Sequence, residues 1–463
     1  MVQSTIKREA KMKYLNRDMI KDEVKDIGVI QFGEGNFLRA FVDRLLLDLN
    51  MGVVVVQPIE NGLVKDLEKQ GYLYTHFEKG VENGAYKENK VVNDVIVKGI
   101  LPYEDYEAYL DLADLNAKVI ISNTTEAGIV YEAEDNKACP KTFPAKLTQL
   151  LYRRFQLVGG DINEGYSIVP CELIEQNGDK LKDCILKYAD LWQLESGFVD
   201  WVNKGCDFVS TLVDRIVPGY PRDKKDAYEK ALGYRDNFMV ESETFMSFVI
   251  EKNERLQERL PLDKVDKRVE FVDDIRPFRT RKVRILNGLH TFMVPLGILS
   301  GVNTVRDFID HESFGKLALK VLEGEIIPSI QADKKMLEDF GEAVLDRFRN
   351  PSFDHYLQSI SLNSISKYKT RVLPSVKDTS KGLKMSLAAL IELYLSDLDN
   401  RNDNSDVMDF FSALKGSLED KVRKVLSNES FWESDLSEYA DEILMYINII
   451  RNHNVLELVN KYD

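Results

Sequence analysis

Three residues at one point in the chain have the types and spacing to move a proton on and off an oxygen. The segment Arg279-Thr-Arg-Lys-Val-Arg-Ile-Leu-Asn-Gly-Leu-His290 carries Lys282, Asn287 and His290. On a helix, at about 100° per residue, the three fall within about 140° of arc, so an amine, a carboxamide and an imidazole could converge on one carbon. The lysine could serve as general acid/base on a carbinol or carbonyl oxygen, chemistry that also needs something to stabilise the developing oxyanion. Arg279, Arg281 and Arg284 surround the lysine in sequence. The same letters also spell a solvated basic helix start with a core histidine one turn later, and residue types alone leave both readings open.

Chemistry at a C–O(H) carbon of this kind needs a hydride carrier, and the chain offers a place for one. Gly28-Val-Ile-Gln-Phe-Gly-Glu-Gly-Asn-Phe-Leu-Arg39 puts Gly33 and Gly35 where an apolar run gives way to a helical pattern. Gly33 would permit the tight turn, and Gly35 would let the backbone approach a pyrophosphate with no Cβ in the way. The helix that follows would aim free N–H groups at the phosphates. A third glycine of the usual fingerprint would fall at position 38, which is Leu. The candidate contacts of a dinucleotide are thus Phe32, Gly33, Glu34, Gly35, Asn36, Phe37, Leu38 and Arg39. Glu60, just beyond the second strand, is the candidate for the adenosine ribose. No arginine cluster follows to hold a 2′-phosphate, so the cofactor expected is NAD rather than NADP.

Other routes to the same chemistry fit poorly. No Cys/His set has zinc-ligand spacing. Tyr-x-x-x-Lys occurs at Tyr86/Lys90 and Tyr220/Lys224, but Pro221 spoils a helix at one and a Gly/Asn-rich turn surrounds the other.

The elements that must position these groups fall into two textures. Ile27 to Phe32, Val53 to Gln57, Lys118 to Ser122, Ser167 to Cys171 and Phe208 to Leu212 read as strands alternating with helices such as Asn36 to Leu49. That alternation predicts a parallel sheet covered on both faces. From about Arg276 amphipathic stretches dominate: Val283 to Leu299, Ser313 to Ile327, Lys334 to Phe348, Lys384 to Leu398, Val407 to Leu426 and Leu436 to Ile450. The fold expected is α/β, a Rossmann-type doubly wound domain over 1–275 followed by an all-helical substrate domain over 276–463.

At 463 residues two domains are the ordinary outcome. A net charge of −15 argues against a nucleic-acid face. The four cysteines include no C-x-x-C pair, so neither a disulfide framework nor a zinc ribbon is expected. A polar N-terminus and short apolar runs point to a cytoplasmic protein without a membrane span. Oligomeric state is not readable.

The Lys-x4-Asn-x2-His pattern of Lys282, Asn287 and His290 resembles the signature of the mannitol dehydrogenase family of polyol-specific long-chain dehydrogenases. The likeness runs over essentially the whole chain. Ile30-Gln-Phe-Gly-Glu-Gly-Asn-Phe-Leu-Arg-Ala-Phe41, Ser122-Asn-Thr-Thr-Glu-Ala-Gly128 and Asn363-Ser-Ile-Ser-Lys-Tyr-Lys-Thr-Arg-Val-Leu-Pro374 liken it to members that reduce sugar acids of hexuronate breakdown. Val213-Asp-Arg-Ile-Val-Pro218 matches a further family segment. The resemblance implies a metal-independent NAD enzyme with Lys282 as acid/base, Asn287 as oxyanion donor and His290 orienting the substrate. It adds Thr124 and Glu126 near the nicotinamide and Lys367 at the substrate.

Polyol-type members carry a second oxyanion asparagine where this chain has Leu173, with Gln176 or Asn177 as replacements. That departure argues against a plain polyol. Lys367, Lys369 and Arg371 place three positive groups in five residues, a candidate clamp for a sugar carboxylate. The alternatives left standing are an epimeric uronate, a polyol, or a dinucleotide-binding regulator without catalysis.

Overall fold

The structure is a computed structural model describing residues 12–21, 25–125, 127–396 and 402–462. Contacts divide the chain into two compact units. One is Met1–Lys79 with Glu88–Ile275; the other is Gly80–Lys87 with Arg276–Asp463.

The strands, most of them in the first unit, are β1 (Ile27–Phe32), β2 (Gly52–Val56), β3 (Tyr74–Glu82), β4 (Ala85–Asn93), β5 (Ile96–Ile100) and β6 (Val119–Ser122). They continue with β7 (Ser167–Pro170), β8 (Asp207–Phe208), β9 (Thr211–Asp214), β10 (Val240–Glu243), β11 (Ser247–Glu251) and β12 (Val269–Val272). Six of them make one parallel sheet in the order β5-β2-β1-β6-β7-β8. A β-branched run buried on both sides explains β2: Val53 and Val55 enter one apolar layer, Val54 and Val56 the other. Counted along the chain the order is 3-2-1-4-5-6, the Rossmann arrangement. Its strand order reverses beside β1, where ligands bind outside the carboxyl ends of the strands. The end of β1 is in register with both neighbours there, Phe32 opposite Val56 and Ser122.

Two smaller sheets, β10-β3-β4 and β12-β11-β9, complete the strands. The expected strand from Phe208 to Leu212 is therefore two elements. β8 ends the large sheet at Phe208, and Thr211 begins β9, antiparallel to β11. The buried carboxamide of Asn177 accepts from the Thr211 N–H at 2.9 Å and turns the chain between them. The expected helix from Asn36 to Leu49 is also split, into Asn36–Ala40 and Val42–Asp48. Phe41 breaks it at φ −120°, ψ −82°, where its ring stacks on Phe37 with centroids 4.9 Å apart.

The second unit is built on helices. Lys334–Phe348 forms as its periodicity predicts. The stretch from Val407 to Leu426 breaks into Ser405–Ala413 and Leu418–Leu426, because Gly416 takes φ +107° and Ser417 with Asp420 forms a capping box. Gly288–Leu299 and Lys381–Leu395 are almost wholly buried, and the Ser386 hydroxyl donates to the Phe292 carbonyl at 2.8 Å. The tip of the β3–β4 hairpin counts with this unit. The Gly84 N–H donates to Asp346 Oδ2 at 3.3 Å, and the Tyr86 hydroxyl lies 3.1 Å from Ser352 Oγ. Among the described residues no helix is long and apolar enough to cross a membrane.

Candidate active site

The glycine turn follows β1 at the reversal of strand order. Gly33 takes φ +110°, a conformation side chains rarely adopt, and its N–H donates to the Val56 carbonyl at 3.1 Å. Gly35 is the N-cap of Asn36–Ala40, and a Cβ built on it meets nothing within 4 Å. Open space thus faces the first N–H groups of that helix, which have no carbonyl of their own helix to bind. A pyrophosphate fits these donors and this opening.

The other candidates around the turn divide by task. Phe32 and Leu38 are core side chains. Arg39 is 2% exposed and braces the turn, donating to the carbonyls of Glu34 (3.1 Å) and Phe238 (2.7 Å) and to Asn36 Oδ1 (2.6 Å). Its guanidinium is spent on protein oxygens, so Arg39 shapes the turn rather than offering its charge to a phosphate. Phe37 packs partly buried against the core. Glu34 accepts from the Leu63 N–H at 3.0 Å, tying the turn to the loop after β2, and burial raises the pKa of its carboxyl. Glu60 is exposed just past β2, as a ribose ligand would be. Gln57, buried beside it, holds that loop by donating to the carbonyls of Ile59 and Glu60.

The loop after β6 meets the glycine turn. The Asn123 N–H donates to the Phe32 carbonyl at 3.1 Å. Thr124 is held by a carboxylate that sequence reasoning passed over: Glu172 Oε1 accepts from its N–H and hydroxyl, both at 2.9 Å, and Oε2 from Ser122 Oγ at 3.1 Å. Burial pushes the Glu172 carboxyl up. Thr125 takes φ +81°, strained for a β-branched residue. Glu126 lies outside the described residues.

The two candidate replacements for the second oxyanion asparagine, Gln176 and Asn177, sit in different surroundings. Asn177 is fully buried, and its Nδ2 donates to the carbonyls of Pro170 (2.9 Å) and Glu172 (3.1 Å) while Oδ1 accepts from Gly178 and Thr211. With both ends of its carboxamide in use, Asn177 is a structural residue. Gln176 is exposed and Leu173 is 58% exposed.

In the second unit the catalytic candidates sit on an unusual turn. Between the helices Arg276–Arg281 and Gly288–Leu299, residues Lys282–Asn287 form a π-helix. Its i→i+5 hydrogen bonds widen the turn, which brings Asn287 closer around the axis to Lys282 than α-spacing would. Lys282 and Asn287 are both half-buried. The arginines beside the lysine in sequence have other tasks. Arg281 lies over the rings of Phe278 and Phe340, at 4.9 and 4.4 Å. Arg284 donates to Ser375 Oγ and Ser329 Oγ.

His290, one turn on, is buried, and its Nε2 has no hydrogen-bond partner among the described residues. Burial lowers its pKa well below the usual value, and the charges near it, on Arg347 and Arg371 beside the His355 ring, act in the same direction. The imidazole is therefore neutral at pH 7. Its ring is flanked by Phe348 at 4.5 Å and His355 at 4.7 Å. Neither Arg347 nor His355 belongs to any motif legible in the sequence. The only signal was a second histidine in a chain that has five.

The helix Ser364–Arg371 brings up the basic candidates and separates them. A Cβ on Gly288 would lie 3.2 Å from the Arg371 carbonyl, so its C-terminal end packs against the turn that carries Asn287. Lys367 and Arg371, four residues apart, share a face. Lys367 Nζ donates to the Ile360 carbonyl at 2.8 Å, and burial lowers the pKa of both groups. Lys369 lies on another face and pairs with Glu433 at 3.0 Å, so the three basic groups do not converge.

These two sets are what a dehydrogenase requires, and the comparisons with known proteins name the class. Residues 27–264 match the Mannitol dehydrogenase Rossmann domain, and 274–448 match the Mannitol dehydrogenase C-terminal domain. The chain belongs to the mannitol dehydrogenase family. Altronate oxidoreductase of Bacillus subtilis (strain 168) is 40% identical over 458 residues, covering 94% of this chain and 95% of that one. Among solved structures, substrate-free D-sorbitol dehydrogenase superposes with a TM-score of 0.81 at 21% identity, covering 96% of this chain and 100% of its own. Pseudomonas fluorescens mannitol 2-dehydrogenase, in a ternary complex with NAD and D-mannitol, gives 0.67 at 19% identity, covering 96% and 99%. Both likenesses show the fold.

Proposed function

We propose that this chain is an NAD-linked altronate oxidoreductase that interconverts D-tagaturonate and D-altronate, with Lys282 as its acid/base. The observation that carries the reading is the π-turn. Lys282 opens it and Asn287 closes it, both half-buried, and the buried His290 follows within a turn, with the positive charges of Arg347 and Arg371 acting on its ring, which suits an anionic substrate. The 40% identity to altronate oxidoreductase of Bacillus subtilis, over nearly all of both chains, supports the same substrate.

Gly33, Gly35 and the N–H groups opening Asn36–Ala40 would hold the pyrophosphate, Glu60 the adenosine ribose, and Thr124 and Glu126 the nicotinamide end. NADH, when bound, supplies the hydride that forms the new C–H bond. As the carbonyl π-bond breaks, the Lys282 ammonium gives its proton to the oxygen, and in the reverse direction the amine takes it back. The Asn287 carboxamide donates to that oxygen while negative charge develops on it. His290 Nε2, which has no hydrogen-bond partner among the described residues, would hydrogen-bond a substrate hydroxyl. Arg371, with Lys367, holds the carboxylate by charge-assisted hydrogen bonds.

The test is NADH oxidation with D-tagaturonate, D-fructuronate and D-fructose offered to the purified protein. A kcat/KM for tagaturonate at least about tenfold above the others is expected, the margin one well-placed polar contact provides. Preference for fructuronate would move the chain to the epimeric uronate. Preference for fructose would overturn the sugar-acid reading.

A further inference from the structure

We propose that His355 is a positioning residue that orients His290 and thereby sets the affinity for the substrate; this rests on the role given to His290 above. The two imidazoles come from different elements yet meet edge to face, centroids 4.7 Å apart and planes at 72°. Phe348 flanks the same ring at 4.5 Å with planes at 39°. The outer torsion of a histidine is broad and soft, so a ring clamped by two others takes its direction from them. That direction matters because His290 Nε2 is buried without a partner among the described residues. A buried polar atom left open in a native fold calls for something to complete it, and a substrate hydroxyl would do so only if the ring faces the right way.

The backbone around His355 is built to hold it still. Its carbonyl accepts from the Val305 N–H at 2.9 Å, Tyr356 bridges to Thr304, and the Leu357 N–H donates to the Asn303 carbonyl at 2.9 Å. On the other side Arg306 donates to Asp354 Oδ1 at 2.8 Å. These fastenings serve no buried apolar side chain at position 355, since His355 itself is exposed. An exposed ring on so firmly held a backbone, set against another imidazole, reads as a support for that imidazole. Among the described residues the charges that bear on the His290 ring are those of His355, Arg347 and Arg371, and on the His355 ring that of Arg347, none of them a carboxylate. Both rings thus leave the positive field to the substrate.

The experiment is a double-mutant cycle with D-tagaturonate, comparing His355→Ala, His290→Ala and the double variant, with His355→Phe as the conservative replacement. His355→Ala should raise KM about tenfold with kcat changed less than about threefold, and should add less than about twofold in the His290→Ala background. His355→Phe, which keeps a ring edge against His290, should restore most of the KM. If His355→Ala does not accumulate as folded protein, His355→Asn replaces it in the same cycle. The proposal is overturned if the folded variant binds substrate as well as the parent, or if the loss is equal in both backgrounds. Should His290→Ala itself leave kcat/KM unchanged, the role of His290 falls and this proposal with it. A damaged His290→Ala beside an unaffected His355→Ala sinks the positioning role alone.

Discussion

A Cβ placed on Gly33 would come within 2.8 Å of the carbonyl oxygen of Asn123, so the turn after β1 and the loop after β6 are in backbone contact. Gly33 also holds φ +110°. Gly33→Ala should therefore cost about 1–3 kcal/mol of stability, from the strained backbone alone, and lower the thermal midpoint. Gly35→Ala should behave differently, because nothing lies within 4 Å of its missing Cβ. Its midpoint should hold while the Kd for NADH rises about tenfold or more, as a methyl enters the phosphate opening. Calorimetry with fluorescence titration separates the two. Unchanged NADH affinity in folded Gly35→Ala would remove the turn from the cofactor site.

Asp43 gives the fold a defined pH dependence. It is fully buried, Oδ2 accepts from the Tyr74 hydroxyl at 3.0 Å, and burial raises its carboxyl to about 7. Against about 3.9 in the unfolded chain, the folded state holds the proton more tightly. The Asp43 contribution is thus fully present below the unfolded value and is lost as pH rises through about 7. Asp43→Asn cannot lose that proton. Urea unfolding between pH 4 and 8 should show the variant gaining on the parent as pH rises. A constant difference would contradict the assignment.

Of the three basic residues of Ser364–Arg371 that sequence grouped together, Lys369 and Arg371 should part company in kinetics. Arg371→Ala should raise the KM for tagaturonate about tenfold to a hundredfold, the loss of a charge-assisted contact. Lys369→Ala removes only a surface pair with Glu433 and should change KM less than about twofold. A large effect at Lys369 with none at Arg371 would reverse the clamp.

The large sheet was legible because β1, β2, β6 and β7 are short β-branched runs that a parallel sheet buries on both faces. β5 was not, since Ile96-Val-Lys-Gly-Ile100 is brief and carries a lysine and a glycine. The β3–β4 hairpin escaped for a related reason: residues 85–90 are exposed and polar, without apolar alternation. At the site, Lys282, Asn287 and His290 stood out through their spacing. The π-turn that adjusts that spacing has no sequence signature. Arg39 and Asn177 look like ligands in one dimension, and only their hydrogen-bond partners show them to be braces. His355 and Glu172 were invisible because each works through a residue distant in sequence, His290 in one case and Thr124 in the other.

The most direct test of the account is Lys282→Ala, assayed for NADH-dependent reduction of D-tagaturonate beside NADH binding and thermal midpoint. The account predicts a kcat lower by about 10²–10⁴, the usual yield of a positioned acid/base, with NADH affinity and folding intact. A folded variant whose kcat stays within about threefold of the parent would contradict it.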